Sequence, residues 1–253
     1  MNGILFYPAG VSPALTFAIR RLRDLGYAVA DHPATDVTHL LLGVPSFDDA
    51  GNLRGGGNLE GILSQLPKTV TVIGGNLQHP LLEGYATMDL LQDARYLAQN
   101  AAITADCALQ VARSHLPVVL QGCPVLILGW GRIGKCLAQL LKASGAYVTV
   151  AARKETDLAM LQALGYEAEQ IEKLRYGLVK YRLIFNTVPY PVLDQEQAGH
   201  CSNDCIKIEL ASRPGIVGED VIQARGLPGK MAPESAGLLI AKSVIRQIAH
   251  KEA

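Results

Sequence analysis

Short apolar runs alternate with stretches of helical periodicity along the first part of the chain. The strand candidates in this part are residues 4–7, 28–30, 40–42 and 70–73. After the first of them, Ser12 and Pro13 provide a helix N-cap followed by proline at the first helical position. Leu15, Ala18 and Leu22 then recur at helical spacing. Short apolar strands separated by helices predict a parallel sheet that is covered on both faces.

A second alternation of strands and helices runs from Pro124 to about Gly229. A long helical stretch, residues 88–114, precedes it, and we place the hinge between two domains there. The sequence therefore predicts an α/β fold of two Rossmann-like domains with parallel sheets and a cleft between them. We expect the first domain to comprise residues 1–101 together with helix 235–253, and the second to comprise residues 102–234. That the C-terminal helix packs back on the first domain is an analogy with other chains of two α/β halves.

Composition excludes several classes of function. The chain has 253 residues, of which 49% are hydrophobic, so it can bury a sizeable core. Lys and Arg balance Asp and Glu at 23 each, which argues against nucleic acid or an anionic membrane as the main partner. The five cysteines form no CxxC motif and no export signal is recognisable, so we expect reduced thiols in a cytoplasmic protein.

A glycine motif directly follows the strand candidate Val125–Leu128. It reads Gly129-Trp130-Gly131-Arg132-Ile133-Gly134 and is followed by a helical pattern and a further strand, which is the context that gives a G-x-G-x-x-G motif its value. We expect Gly129 to make the tight turn, Gly131 to let the backbone approach a pyrophosphate, and Gly134 to let the helix pack closely on the sheet. We take all six residues as candidate cofactor-binding residues. The alternative is a glycine-rich turn in a Rossmann-like domain that binds no nucleotide.

The end of the next strand indicates which dinucleotide is bound. An acidic residue there would hold the ribose 2′-hydroxyl of NAD. The strand ends instead in Ala152-Arg153-Lys154, which puts two positive charges where the 2′-phosphate of NADP would lie. We therefore expect Arg153 and Lys154 to bind NADP, and the second domain to be the NADP-binding one. Binding of NAD remains an alternative, and so does a role as solvated surface cations.

Further candidates follow the later strands, because ligands of open α/β sheets bind beyond the carboxyl ends of the strands. The remaining predicted cofactor-binding residues are Asn186, Thr187, Val188, Pro189 and Ser212. The predicted substrate-binding residues are Ser46, Thr104, Arg213 and Gly229, and we expect the first domain to be the substrate side. Thr104 and Asp106 are expected to begin a helix, where they can cap it or hold a substrate carboxylate at its amides.

Two residues are candidates for catalysis. Asp106 is a candidate general base, and Lys230, like Arg213, is a cation suited to an acidic substrate. For all the later loops, ordinary turn chemistry is the alternative. His200, Cys201 and Cys205 lie near one another in the sequence, but their spacing matches no common zinc pattern, so we expect no metal site.

Six segments in order carry a family resemblance. They are NAAITADCAL (100–109), VLILGWGRIG (125–134), GAYVTVAAR (145–153), FNTVP (185–189), IELASRPG (208–215) and GLPGKMAPESAG (226–237). Together they resemble the family of the dipicolinate synthase A subunit over roughly the last 155 residues. The resemblance implies a two-domain fold with an NADP-binding Rossmann domain. It also implies oxidation of a dihydrodipicolinate-type substrate to pyridine-2,6-dicarboxylate, a small dicarboxylate.

The same resemblance implies that a flavoprotein-like B subunit is the partner and that the protein has a role in sporulation. By resemblance, Gly129, Gly131, Gly134 and Arg153 bind the cofactor, and Asn186, Thr187, Ser212 and Gly229 line the cleft. We also expect a homo-oligomer. Two alternatives stay open: another two-domain NAD(P)-dependent dehydrogenase of a small acid, and a non-catalytic nucleotide-binding subunit or sensor.

Overall fold

The computed structural model describes residues 3–174 and 177–251 of the chain. The chain divides into two units. The first consists of Met1–Asn100 and Pro228–Ala253, and the second of Ala101–Leu227. The long helix α3, Ala94–His115, contains the point at which the chain passes from the first unit to the second. Gly229 and Lys230 therefore belong to the first unit.

The first unit is built on a five-stranded parallel sheet. Its strands are β1 (Leu5–Pro8), β2 (Ala28–Val29), β3 (His39–Leu41), β4 (Thr71–Gly74) and β5 (Ala86–Asp89), and they lie in the order β2-β1-β3-β4-β5. Helices α1 (Pro13–Asp24) and α2 (Leu59–Leu63) connect them. The N-cap of α1 forms as the sequence predicts, since the Ser12 hydroxyl accepts a hydrogen bond from the Leu15 amide at 3.1 Å.

The C-terminal helix α8, Pro233–Lys251, packs against α1. Gly237 makes this close approach possible, because a Cβ atom there would lie 2.6 Å from the Cβ of Phe17 and 2.8 Å from the amide nitrogen of Ala18. Asp93 also holds α8 by accepting hydrogen bonds from the Arg246 guanidinium and, at 3.0 Å, from Gln247 Nε2. The predicted return of the C-terminal helix to the first unit is thus confirmed.

The second unit contains a six-stranded parallel sheet. Its strands are β6 (Pro124–Leu128), β7 (Tyr147–Ala152), β8 (Glu167–Gln170), β9 (Leu183–Asn186), β10 (Ile206–Glu209) and β11 (Val221–Gln223). Its helices are α4 (Arg132–Ala143), α5 (Glu155–Ala163) and α6 (Gln195–Gly199). Helix α7 (Leu227–Met231) begins at the last residue of this unit and continues in the first unit.

The strand order of the second unit is β11-β10-β9-β6-β7-β8. Counted from β6 as the first strand, this is the order 3-2-1-4-5-6 of dinucleotide-binding sheets, read from the other edge. The order reverses between β6 and β9, and a crevice for ligands opens at such a point. The central strands are apolar and buried, as a parallel sheet covered on both faces requires. The predicted α/β fold with parallel sheets is therefore confirmed.

No helix within residues 3–174 and 177–251 has both the length and the hydrophobicity needed to cross a membrane.

Candidate nucleotide-binding site

The glycine turn follows β6 at the point where the strand order reverses. Gly129 has a φ of +102°, a conformation that side chains with a Cβ rarely adopt. A Cβ there would also lie 2.6 Å from Thr187 Oγ1 and 2.8 Å from Val188 Cγ2. At Gly134, in the first turn of α4, a Cβ would overlap the carbonyl oxygen of Gly129. These two glycines therefore let the turn and the helix pack against each other and against the loop after β9.

Gly131 has a different environment, because a Cβ at this position would meet no atom within 4 Å. It is the N-cap residue of α4, and no side chain caps the helix there. The first-turn amides, which belong to Arg132, Ile133 and Gly134, lack partners one turn earlier in the helix, and they carry the positive end of the helix dipole. Open space beside uncapped amides is the arrangement that accepts a pyrophosphate, so the turn fits a dinucleotide.

Trp130, the second residue of the glycine turn, contacts Tyr166 and Lys135. Its ring lies edge-on to Tyr166, with 5.9 Å between the ring centroids, and Lys135 Nζ lies 5.6 Å from the centre of the Trp130 ring. Burial raises the pKa of Tyr166, so its hydroxyl stays neutral at physiological pH. The Trp130 side chain is therefore packed against two other side chains of the same unit.

Arg153 and Lys154 follow the end of β7, the strand next to β6. Leu128, the last residue of β6, pairs with Ala151, so Arg153 lies only two residues beyond the strand position opposite the turn. Both side chains are exposed. Across the described ranges of the chain, neither forms an ion pair or a side-chain hydrogen bond. Two unpaired cations beside the glycine turn suit the binding of a phosphate group.

The loop after β9 is held by its own side chains. Thr187 Oγ1 donates to the carbonyl oxygen of Leu128 at 2.8 Å, which joins this loop to the end of β6. Asn186 Nδ2 donates to the carbonyl oxygen of Val188 at 2.9 Å, and Asn186 Oδ1 accepts from the Val188 amide at 3.0 Å. Pro189 is exposed at the outer end of the loop. The loop thus has a defined conformation beside the glycine turn.

Glu209 is the organising residue of this edge of the sheet. Its side chain is fully buried at the end of β10. The carboxylate accepts hydrogen bonds from Asn186 Nδ2 at 2.8 and 3.0 Å, and from the amides of Ala211, Gly215 and Ile216 at 3.0, 2.7 and 3.2 Å. Three backbone amides and one side-chain amide therefore surround one buried negative charge, which satisfies its need for hydrogen bonds.

This network changes the expectation for Asn186. The sequence predicted that its side chain hydrogen-bonds the cofactor, but the structure engages its Nδ2 group with Glu209 and with Val188. Asn186 therefore positions the loop. Sequence reasoning missed Glu209, and the signal that could have found it is an acidic residue at the end of a buried apolar strand, where an unpaired charge would be costly.

Ser212 and Arg213 lie in the loop that Glu209 holds. Both are exposed, and the flanking residues Ala211 and Gly215 are anchored to the buried carboxylate. The loops after β6, β9 and β10 thus meet at one edge of this sheet. They bring together the glycine turn, Thr187, Val188 and the Ser212–Arg213 segment.

Thr104 and Asp106 do not begin a helix, and that prediction is wrong. Helix α3 starts at Ala94, so both residues lie in its interior, where the backbone amides bond to carbonyl groups one turn earlier. Their amides cannot hold a substrate carboxylate. Thr104 is buried, and the exposed Asp106 accepts a hydrogen bond from Gln110 Nε2 at 3.0 Å. The helical pattern of the preceding residues was the better guide to the start of this helix.

The remaining predicted residues belong to the first unit. Ser46 is fully buried, where its hydroxyl donates to the carbonyl oxygen of Gly43 at 2.8 Å and accepts from the Gly75 amide at 2.9 Å. It therefore joins the loops after β3 and β4. Gly229 and Lys230 lie in helix α7, and the Lys230 side chain is exposed.

Comparison with known proteins supports the family resemblance. No family model matches the chain. It is 29% identical over 162 residues to the A subunit of dipicolinate synthase from Bacillus subtilis (strain 168), an alignment that covers 61% of this chain and 54% of that protein. The alignment thus spans about half the length of the curated relative. The resemblance to the dipicolinate synthase A subunit predicted from the sequence is confirmed.

Solved structures extend the likeness to the whole chain. The crystal structure of the A subunit of dipicolinate synthase from Bacillus halodurans has a TM-score of 0.84 and 23% identity, with 98% of each chain covered. The crystal structure of a transhydrogenase from Sinorhizobium meliloti has a TM-score of 0.70 and 15% identity, covering 96% of this chain and 93% of that one. At these identities the likeness shows the fold, which is that of Rossmann-like dehydrogenases.

Proposed function

We propose that the protein is an NAD(P)-dependent oxidoreductase and that its second unit binds the coenzyme at the glycine turn. The observation that carries the proposal is the strand order of that unit, with an uncapped helix N-terminus and the open space at Gly131 lying where the order reverses. The first-turn amides of α4 bind the pyrophosphate. Thr187 and Val188 border the turn from the neighbouring strand end.

The proposed coenzyme is NADP. Among the residues that the structure describes, Arg153 and Lys154 at the end of β7 have no ion-pair partner, and neither Ala151 nor Ala152 offers a carboxylate to a ribose 2′-hydroxyl. A guanidinium can bind a phosphate through two hydrogen bonds, and the ammonium group adds a second charge. We expect a 2′-phosphate to be held by these two side chains.

The proposed reaction is oxidation of a dihydrodipicolinate-type substrate to pyridine-2,6-dicarboxylate, as the resemblance to the dipicolinate synthase A subunit suggests. When bound, the coenzyme supplies a hydride acceptor, and the substrate ring becomes aromatic. The contribution of the chain is to position the reactants and to neutralise carboxylate charge. Arg213 is the cation proposed for a substrate carboxylate in the second unit. Lys230 is a further candidate cation, and Gly229 remains a proposed substrate-binding residue. Ser46 and Thr104 are buried, so they are not proposed again.

The proposed acid–base group is Asp106, which lies on the exposed face of α3 and accepts a hydrogen bond from Gln110.

From the resemblance to the dipicolinate synthase A subunit, we propose that the chain pairs with a flavoprotein-like second subunit. Gel filtration of the chain alone, and of the chain mixed with that protein, tests both this partner and the expected homo-oligomer. Elution as an unchanged monomer in both runs would contradict the two expectations.

A non-catalytic nucleotide-binding role is the second candidate. The observation that favours it is the placement of Asp106, which lies in the middle of α3 with its exposed carboxylate already hydrogen-bonded to Gln110. To separate the two candidates, we would mix the protein with NADP⁺ and the dihydropyridine substrate and record the absorbance of reduced nicotinamide. Turnover supports the proposed oxidoreductase. Binding without turnover supports the non-catalytic role, and turnover only with a hydroxy acid indicates another dehydrogenase.

A further inference from the structure

Arg225 follows β11, the last strand of the second unit, at the same edge of the sheet as the glycine turn. Strand β11 ends at Gln223, which pairs with Glu209 at the end of β10, and the Ala224 amide donates to the Glu209 carbonyl oxygen at 2.9 Å. Arg225 is therefore held one residue beyond the last backbone hydrogen bond between these two strands. Ligands of open parallel sheets bind beyond this edge.

The guanidinium group of Arg225 has no partner among the residues that the structure describes. Its Nε atom is buried and forms no hydrogen bond. Among the described side chains that are buried or half-buried, this is the only enclosed nitrogen or oxygen without a partner. The side chain takes part in no ion pair with a described residue either. An enclosed terminal nitrogen would be in the same condition as Nε, and neither is, so both terminal nitrogens reach the solvent.

A half-buried positive charge without a partner is unusual for an arginine that serves only the fold. Buried polar groups are nearly always hydrogen-bonded, and a charged group without a partner costs free energy. The carboxylate at the end of the neighbouring strand does not offset this cost. Glu209 accepts hydrogen bonds from the Asn186 side chain and from three backbone amides of the loop after β10, and it accepts none from Arg225. The arrangement therefore favours an anionic ligand as the partner of Arg225.

The strand order indicates which anion this is. Strand β11 is three strands away from β6, about 14 Å at the usual spacing, and it lies on the opposite side of β6 from β7. The coenzyme phosphates are proposed to bind at the ends of β6 and β7, so Arg225 is away from both of them. The adjacent strand β10 leads into the loop that carries the exposed Arg213. Two guanidinium groups beyond the ends of adjacent strands suit a small molecule with two carboxylates.

We propose that Arg225 binds one carboxylate group of the substrate through its terminal nitrogens and thereby selects a dicarboxylate over a monocarboxylate. Arg213, the cation proposed for a substrate carboxylate, binds the other group. This inference rests on the proposed function, because it takes the substrate to be a small dicarboxylate of the pyridine type. The unpaired charge lowers the stability of the free protein, and the bound carboxylate removes that cost.

Calorimetric titration of the full chain with pyridine-2,6-dicarboxylate and with pyridine-2-carboxylate, which lacks one carboxylate group, tests the assignment. We expect the wild type to prefer the dicarboxylate, and Arg225→Gln to lower the dicarboxylate affinity by about 10–100-fold. The NADP⁺ affinity of this variant should equal that of the wild type. Arg182→Gln is the matched control, because Arg182 precedes β9 at the opposite edge of the sheet and pairs with Asp204 at 2.8 Å. Its dicarboxylate affinity should be unchanged.

Thermal unfolding separates a binding role from a structural one. Because the guanidinium of Arg225 has no partner in the described part of the chain, Arg225→Gln without ligand should melt at the wild-type temperature or above it. The dicarboxylate should raise the melting temperature of the wild type and of Arg182→Gln more than that of Arg225→Gln. A lower melting temperature of the ligand-free Arg225→Gln variant, with no loss of dicarboxylate affinity, would show a structural arginine and overturn the assignment.

A measurement on the wild type does not depend on any variant folding. Phenylglyoxal modifies accessible guanidinium groups, and mass spectrometry of peptides identifies the modified residues. We expect pyridine-2,6-dicarboxylate to protect Arg225 from modification and to leave the modification of Arg182 unchanged. Modification of Arg225 to the same extent with and without the dicarboxylate would overturn the assignment.

The titrations also separate this assignment from the proposed function. Equal dicarboxylate affinities of the wild type and Arg225→Gln would overturn the assignment and leave the proposed oxidoreductase standing. If the wild type binds no dicarboxylate, the assignment fails together with the proposed substrate. If the dicarboxylate binds through Arg225 but neither NADP⁺ nor NAD⁺ binds, the assignment stands and the proposed coenzyme function fails.

Discussion

The three glycines of the turn have different surroundings. Two of them are needed for the packing of the fold, whereas the third matters only for a ligand that approaches the backbone. A Cβ at Gly129 would overlap Thr187 and Val188, and a Cβ at Gly134 would overlap the carbonyl oxygen of Gly129. A larger residue at either position would therefore disturb the fold. Gly131 faces open space and has no left-handed backbone. A side chain at this position is therefore compatible with folding, and it affects only a ligand that approaches the backbone.

Gly131→Ala tests the binding role of the turn directly. We expect the melting temperature to stay within a few degrees of the wild type and the affinity for NADP to fall by about tenfold or more, equivalent to about 1.4 kcal/mol, because the new methyl group lies where the pyrophosphate approaches. Calorimetric titration measures the affinity, and thermal unfolding measures the stability. Gly199→Ala is the matched control, since a Cβ at Gly199 also meets no atom within 4 Å. Equal affinities of the two variants would refute the role given to Gly131.

Arg153→Asp tests the preference for NADP. The substitution replaces a guanidinium by a carboxylate at the end of β7, so it should repel a 2′-phosphate and can accept a hydrogen bond from a ribose hydroxyl. We expect the NADP affinity to fall by about 10–100-fold, equivalent to about 1.4–2.8 kcal/mol, and the NAD affinity to change little or to rise. Parallel titrations with the two coenzymes measure both effects. An equal loss for NAD and NADP would show that Arg153 does not contact the 2′-phosphate.

Local sequence patterns identified the glycine turn because strand, turn and helix are adjacent in the chain. They did not show that the side chain of Asn186 would be hydrogen-bonded within the protein, because its partner Glu209 lies 23 residues away along the chain. Whether a polar side chain faces a ligand or another side chain depends on which strands become neighbours. The order of the strands in the sheet was not predicted from the sequence. The start of α3 was misplaced at Thr104 for a related reason, since polar residues in a helix interior resemble capping residues.

At the scale of elements, the buried strands were predictable and most edge strands were not. Strands such as β6 and β9 are continuous apolar runs, whereas β8 at the edge of the second sheet has the sequence Glu-Ala-Glu-Gln. An edge strand needs little apolar character because it pairs on only one side, and charged residues there also prevent pairing with other chains. Strands β5 and β11, which are likewise edge strands, were not predicted either.

Glu209→Gln tests how the end of β10 organises its loop. A glutamine side chain keeps the shape, but its NH₂ group faces amide donors, and the charge that accepts their hydrogen bonds is lost. We expect unfolding free energy to decrease by about 1.5–3 kcal/mol, the range for hydrogen bonds to a charged group. Urea denaturation measures this change. Glu219→Gln, at an exposed position, is the control and should change stability by less than about 0.5 kcal/mol. A stable Glu209→Gln variant would show that the buried carboxylate is not needed to hold the loop.

At the scale of the whole molecule, the chain returns to its first unit through α8, and Asp93 is the polar contact that secures this return. Burial by itself raises the pKa of Asp93. Hydrogen bonds from Gln247 and from the amides of Arg95 and Tyr96, with the charge of Arg246, outweigh burial and hold the pKa below its usual value. A carboxylate with a lowered pKa stabilises the folded state above the unfolded-state pKa of about 4 and loses this contribution as pH falls.

Asp93→Asn therefore should destabilise the protein by about 1–3 kcal/mol near neutral pH, because it removes the charge that Arg246 and Gln247 contact. The difference from the wild type should shrink as the pH falls below the unfolded-state pKa of about 4, and it should disappear at the lower pH where the carboxyl of the folded protein is protonated. Urea denaturation at several pH values measures both effects. Asp31→Asn, which removes the exposed partner of Arg23, is the control and should be nearly neutral. A pH-independent difference would contradict the role of the Asp93 charge.

Calorimetric titration of the wild-type chain with NADP⁺ and with NAD⁺ tests most directly whether the second unit binds a nicotinamide coenzyme. We expect saturable binding of one dinucleotide per chain, with a lower Kd for NADP⁺ than for NAD⁺. Absence of saturable binding with either coenzyme, under conditions in which the protein is folded, would contradict it.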